Sequence, residues 1–298
     1  MDRRKALKIM GAGLAVTVMA GIAPLTHAAI QKDRAKAKKR LVFYFTATGN
    51  SLFVAKQLSD NPLSIPQELK KKKLVYEADE IGFVFPDYVA SAPMIVREFV
   101  TKGTFKAPYI FSVITFGNAS VSVAEWWKNF AMEQGVVNNY VQPILMVDNY
   151  LPVFDMNQQM AIDKHVDQSL AKILEDIGAH KHFVAASDMG FFTEDRLKTM
   201  RDQHFPMTAK RLLELRKDRC VQCLMCANVC PHRNFSLVAG NLQIAGKCEY
   251  CLACVHNCPQ KALTLKSARE GRPGERNPEA RYRNPNIALN EIVKSNRQ

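Results

Sequence analysis

The sequence predicts a doubly wound parallel α/β sheet followed by a small α+β unit organised around cysteine. Three observations carry that expectation. Short, continuously apolar runs alternate with helical stretches over much of the chain, as buried parallel strands and their crossover helices do. All eight cysteines fall between positions 220 and 258. They repeat one spacing twice, Cys220-x2-Cys223-x2-Cys226-x3-Cys230-Pro231 and Cys248-x2-Cys251-x2-Cys254-x3-Cys258-Pro259.

The 298 residues suffice for about two domains, and 47% of them are hydrophobic, so a sizeable core is within reach. The formal charge of +13 suits an acidic redox partner or a membrane surface. No nucleic-acid-binding signature accompanies it, so no nucleic-acid partner is expected.

In chain order, residues 1–28 read as an export signal. Arg3-Arg4 open a charged start of twin-arginine type, a weakly apolar stretch covers 9–25, and Thr26-His27-Ala28 offers a cleavage site before Ala29. The protein is therefore expected outside the cytoplasm, in the periplasm or an equivalent space. An uncleaved membrane tether competes with that reading, but the glycines and Pro24 interrupt the roughly 20-residue apolar run a span needs. A basic linker at 29–40 follows.

The α/β domain is expected over residues 41–193. Residues 41–45, LVFYF, form its first strand, ending in Thr46-Ala47-Thr48-Gly49-Asn50-Ser51 before a helix through Leu58. Strand, short polar loop, helix aims backbone N–H groups and hydroxyls at an anion. Three hydroxyls, one glycine and no lysine suit a terminal monophosphate rather than a nucleoside triphosphate. Further strands are predicted at 80–85, 109–115 and 142–147, with a weaker one near 74–76. Helices are predicted at 93–100 and 121–134, and one long helix over 156–177. On such a sheet ligands sit beyond the carboxyl ends of the strands, where the loops at 46–51, 86–90 and 115–118 converge. Trp126 and Trp127 read as packing residues.

A charged connecting helix is predicted over 194–217, divided at Pro206, then the cysteine-rich domain over 218–265 and a basic C-terminal segment at 266–298. The cysteine run is the bacterial signature for a pair of [4Fe–4S] clusters, in which the fourth cysteine of each run ligates the other cluster. That rule assigns Cys220, Cys223, Cys226 and Cys258 to one cluster, and Cys248, Cys251, Cys254 and Cys230 to the second. Four disulfides would have no reason to repeat one spacing with proline after each fourth cysteine. Zinc would leave the third CxxC step unused.

The loop at Thr46, Ala47, Thr48, Gly49, Asn50 and Ser51 resembles the phosphate loop of flavodoxins. The resemblance implies FMN, with its phosphate in that loop. It implies ring contacts from Tyr88, Phe116, Gly117 and the neighbouring Thr115, with Gly117 letting its backbone approach the ring edge. Asp87 is expected either near the flavin or capping the next helix. The chain from about residue 40 onward, through Phe83-Val84-Phe85-Pro86, Asp148-Asn149-Tyr150, both cysteine runs and Arg281-Tyr282-Arg283-Asn284-Pro285, resembles the EFR1 family, bacterial ferredoxins with an N-terminal flavodoxin-like domain. That likeness implies FMN plus two [4Fe–4S] clusters and a C-terminal segment that packs. The expected function is electron transfer between FMN and the clusters to a redox protein that the sequence does not identify. A reductase of a small substrate, or a redox sensor with structural clusters, are the alternatives. His232 and His256, near the cluster cysteines, read as solvated loop residues, the alternative being hydrogen-bond donors around the clusters that would make their potentials depend on pH.

Overall fold

A computed structural model describes residues 38–205, 207–267 and 274–298. The expected export signal, the linker before residue 38 and the division at Pro206 lie outside the described residues.

Among the described residues, six strands make the central sheet: β1 (Arg40–Tyr44), β2 (Leu63–Ser64), β3 (Glu80–Pro86), β4 (Tyr109–Phe116), β5 (Tyr140–Leu145) and β6 (Phe183–Val184). They run β2-β1-β3-β4-β5-β6 across the sheet, and every neighbouring pair is parallel. This is the flavodoxin-like 2-1-3-4-5 order with one edge strand added. Helices α1 (Asn50–Leu58), α2 (Met94–Lys102), α3 (Val123–Glu133) and α4 (Val166–Gly178) accompany the strands.

The period-two alternation of a strand sends successive side chains to opposite faces. Phe43, Phe83 and Phe85 join Trp127 in one core, while Val42, Tyr44, Val84 and Val113 join Ile173 and Ile177 of α4 in the other. Both faces are covered, which is why these strands read as unbroken apolar runs. The tryptophans take the packing roles expected. Trp127 is fully buried and donates its indole N–H to Ser112 Oγ at 2.7 Å, and Trp126 stacks on Phe130 at 5.2 Å.

Three expectations need correction. The long helix over 156–177 is two pieces, Met156–Met160 and α4, because His165 adopts φ 49° and Asp163 Oδ1 accepts its N–H at 2.8 Å. The strand near 74–76 exists at Val75–Glu77, but it pairs with Thr104–Lys106 outside the main sheet. The connecting helix is helical only over α5 (Glu194–His204) before strand pairing begins. Met207–Thr208 pairs with Lys247–Cys248, and Leu213–Leu215 with Leu263–Leu265, both antiparallel. The cysteine-rich unit thus begins at residue 207, well before 218, since the alternating Leu213 and Leu215 form a strand.

The C-terminal segment packs, as the resemblance implies. Tyr282, Ile287 and Ile292 are buried, and α6 (Leu289–Asn296) packs against the same sheet face as α1. Among the described residues no helix is long and apolar enough to cross a membrane.

Candidate functional site

The carboxyl ends of β1, β3, β4 and β5 open onto a cleft of about 770 Å³, within the range of small-molecule and cofactor sites. Thr46, Ala47, Thr48, Asn50 and Ser51 line one end of it. Gly49 turns the chain into α1 with φ 104°, a left-handed conformation that favours glycine, and supplies no side-chain cap. The N–H groups of the first turn of α1 therefore lack an intrahelical partner and carry the positive end of its dipole.

The hydroxyls around this turn are oriented by donors behind them. Thr46 Oγ1 accepts the Gly49 N–H at 3.0 Å, and Thr48 Oγ1 accepts Asn149 Nδ2–H at 2.7 Å. Each oxygen is engaged as an acceptor, so its own hydrogen is left to donate. Ser51 and Thr115 share a hydroxyl pair at 2.9 Å. No lysine or arginine lines the cleft among the described residues. The donor set fits a phosphate monoester held by neutral donors and a helix N-terminus.

Asn50 lines the cleft and also braces the loop. Its Nδ2–H donates to Val147 O at 3.1 Å, and its Oδ1 accepts from Tyr282 Oη–H at 2.6 Å and Asn284 Nδ2–H at 3.2 Å.

Tyr88, Phe116 and Gly117 line the cleft as well. Gly117 has a further reason to be glycine: a Cβ there would run into Asp148. Its carbonyl accepts Lys164 Nζ–H at 3.2 Å. Asp87 also lines the cleft and accepts the Ser91 N–H at 3.1 Å, so it orders its own loop and does not cap α2. Burial raises the Asp87 carboxyl to about 8, with the nearby Asp148 carboxylate adding to the effect. Burial raises Asp148 too, against an opposing pull from Lys164.

Sequence reasoning missed the far wall, made by Tyr150, His204, Tyr250, Cys251 and Leu252. His204 stacks on Tyr250 at 4.4 Å, and burial lowers its imidazole to about 4. Tyr250 sits inside the second cysteine run, so no flavin-loop pattern points to it.

The two cysteine runs are copies in backbone as well as sequence. Gln222 and Leu224 in the first, Tyr250 and Leu252 in the second, all lie at φ 57–58°. Arg233 and Lys261, each three residues past a fourth cysteine, are also left-handed. These non-glycine strains turn amides toward sulfur. The Tyr250 N–H donates to Cys248 Sγ at 3.4 Å, and the Ala262 N–H to Cys258 Sγ at 3.2 Å.

The thiols sort into two sets. A small second cavity is lined by Cys230, Cys248, Cys251 and Cys254 together. Burial pushes Cys226 up to about 12, and the neighbouring thiols that add to this are Cys258, Cys223 and Cys220. All eight cysteines are free thiols. Among the described residues no three His, Cys, Asp or Glu converge on one ion, as thiols spread around a multi-iron cube do not. Buried thiols with raised pKa values lose their protons when a metal replaces them.

Residues 213–235 match the 4Fe-4S binding domain model. That stretch holds the first cysteine run and the strand before it. No curated protein matches the chain. Among solved structures, a candidate flavoprotein from Bacteroides uniformis is 17% identical, covering 42% of this chain and 96% of its own, at a TM-score of 0.28. One from Bacteroides eggerthii is 16% identical, covering 47% and 98%, at 0.30. The metal-soaked Flv1 flavodiiron core from Synechocystis is 13% identical, covering 50% and 39%, at 0.25. The fold assignment rests on the strand order and not on these scores.

Both histidines near the cysteines are engaged rather than solvated. His232 Nε2 lies 2.7 Å from Glu249 Oε2, and the other oxygen of Glu249 accepts the Ile95 N–H at 3.2 Å in the first turn of α2. A buried carboxylate at a helix N-terminus is favourably placed, and this one fastens the second cysteine run to the α/β domain. His256 is buried, and its contacts reach the opposite end of the cleft.

Proposed function

We propose that this chain is an iron–sulfur flavoprotein that passes single electrons between FMN and two [4Fe–4S] clusters, in keeping with its resemblance to ferredoxins carrying a flavodoxin-like domain. FMN would be held with its phosphate against the 46–51 loop and its ring near Tyr88 and Phe116. Cys220, Cys223, Cys226 and Cys258 would hold one cluster, and Cys230, Cys248, Cys251 and Cys254 the other. When bound, the flavin supplies two-electron chemistry and the clusters one-electron chemistry.

One observation carries the reading. Cys251 and Leu252 line both the flavin-sized cleft and the cavity ringed by four thiols. A single residue's thickness separates the two, and Tyr88 lines the same cleft, where burial first, with Cys251 and Glu249 adding to it, raises its phenol well above the usual range. Glu249 and its bond to α2 keep the two compartments in register.

Export by the twin-arginine route and a partner that is acidic or membrane-bound remain part of the proposal, resting on Arg3-Arg4 and the +13 charge. Anaerobic purification with iron, sulfide and flavin quantitation tests the core of it. About eight irons, about eight sulfides and one FMN per chain are expected. Colourless, iron-free protein with paired thiols would overturn it.

A reductase of a small substrate is the second reading. The cleft runs on past the flavin loops to an apolar mouth at Val153, Phe191 and Met200, where a small molecule fits. Turnover by the isolated protein with one electron donor distinguishes it from a carrier, which needs a second protein.

A further inference from the structure

A buried histidine on the second cysteine run sends two hydrogen-bonded arms to the phosphate loop. The Tyr282 N–H donates to His256 Nδ1 at 3.1 Å. Nδ1 is thus an acceptor, so Nε2 carries the hydrogen and donates to the Asn149 carbonyl at 2.9 Å. From Asn149 the first arm continues through Nδ2–H to Thr48 Oγ1 at 2.7 Å. From Tyr282 the second arm continues through Oη–H to Asn50 Oδ1 at 2.6 Å.

The C-terminal segment adds to the brace along the same edge. The Asn284 N–H donates to Thr48 O at 2.8 Å, and Asn296 Nδ2–H donates to Thr46 O at 2.9 Å. A Cβ on Gly49 would meet Asn284 and Ile287 at 3.0 Å, so the segment lies against the turn itself. The loop's shape is set by residues more than 95 positions away in sequence, as the separations of these bonds show. Cys254 and Cys258 flank His256 at two residues on either side. The cluster peptide and the phosphate loop therefore meet through one imidazole.

We propose that His256, Asn149 and Tyr282 form a clasp that holds the 46–51 loop in its phosphate-binding shape, making this end of the flavin site dependent on the folded cysteine-rich unit. These are positioning residues. None is asked to touch the ligand. Thr48 Oγ1 is kept an acceptor toward Asn149, which turns its hydrogen to the anion, and Asn50 is held in place by Tyr282. The inference rests on the reading of the cleft as a flavin monophosphate site.

The test compares FMN with riboflavin, which has the same ring and no phosphate. Holoprotein stripped of flavin but retaining its iron is titrated with each, following flavin fluorescence. Tyr282→Phe removes one arm with little change in volume, and Asn149→Ala removes the other by deleting its carboxamide. Each is expected to weaken FMN binding by about 3- to 10-fold, the cost of one neutral hydrogen bond. Riboflavin affinity should stay within twofold of wild type, with iron and sulfide content unchanged. Equal losses for both flavins, or FMN affinity that does not move, would overturn the clasp while leaving the flavin reading intact. Wild-type protein that binds neither flavin would overturn both.

Discussion

The two cysteine runs share one spacing and one set of backbone angles, yet they occupy opposite settings. In the second run Cys248 and Glu249 are buried, with Glu249 at 1% exposure. In the first run the equivalent pair is Cys220, half-buried, and Val221, 62% exposed, and Gln222 and Cys223 beyond it are exposed as well. One spacing and one set of backbone angles thus sit in two environments, set by what packs against them. The inner run faces the cleft and α2, while the outer run faces solvent. On the proposed function the inner run would face the flavin and the outer run a redox partner.

The comparison breaks most visibly by deleting either end. Cys251→Ser is expected to lower iron from about eight to about four per chain and to stop electron exchange between flavin and the remaining cluster, seen by rapid-mixing absorbance. Cys223→Ser should cost the same iron yet leave flavin reduction linked to the inner cluster. If the two variants behave alike, the division of labour is wrong.

Next in size are the backbone positions that shape the cleft. Gly49→Ala places a side chain at φ 104° against Asn284 and Ile287. A loss of about 1–2 kcal/mol in stability is expected from the left-handed conformation alone, read as a lower melting temperature with flavin affinity falling in step. Gly117→Ala collides with Asp148 and should disturb the ring end of the cleft, weakening FMN and riboflavin equally. Tyr88→Ala removes a ring that lines the cleft, and should weaken both flavins by about 3- to 10-fold if it stacks on the ring.

A pH effect separates the cleft from the cysteine-rich unit. The folded state raises Asp87 from 3.8 to about 8, so it holds this proton more tightly than the unfolded chain does. Its contribution to stability is complete below about pH 4 and is lost progressively as pH rises through about 8. The melting temperature of flavin-free wild type relative to that of Asp87→Asn should fall across that window, since the variant keeps every other titrating group. An unchanged slope in the variant would place the titrating group elsewhere. The smallest effect expected is at the surface ion pair of Lys56 with Glu291, where Lys56→Ala should change stability by about 1 kcal/mol or less.

Much of the sheet was legible because its strands are buried on both faces and therefore read as uninterrupted apolar runs. The two-residue edge strands β2 and β6 carry too little sequence to give such a pattern. The cysteine repeat was legible because ligand geometry dictates spacing. The 46–51 loop was legible as a strand-to-helix turn lined with hydroxyls, but the bonds that Asn50 makes behind it were not. Those bonds depend on Tyr282 and Asn284, and no local pattern reports a partner so far along the chain. The same holds for Glu249, whose role at the start of α2 needs Ile95 beside it, and for the helix assigned over 194–217. There Leu213 and Leu215 suit a helix or a strand until Leu263 and Leu265 arrive to pair with them.

The closing helix α6 has a consequence for biosynthesis. The turn that would grip a phosphate lies near residue 49, whereas Asn296, which bonds to Thr46, stands 250 residues further along. A nascent chain whose residue 296 is still inside the ribosome cannot finish that cradle, whatever the rest of the sheet has done. On the proposed reading of the turn, a phosphate ester would find it complete only after translation has carried residue 296 clear of the exit tunnel.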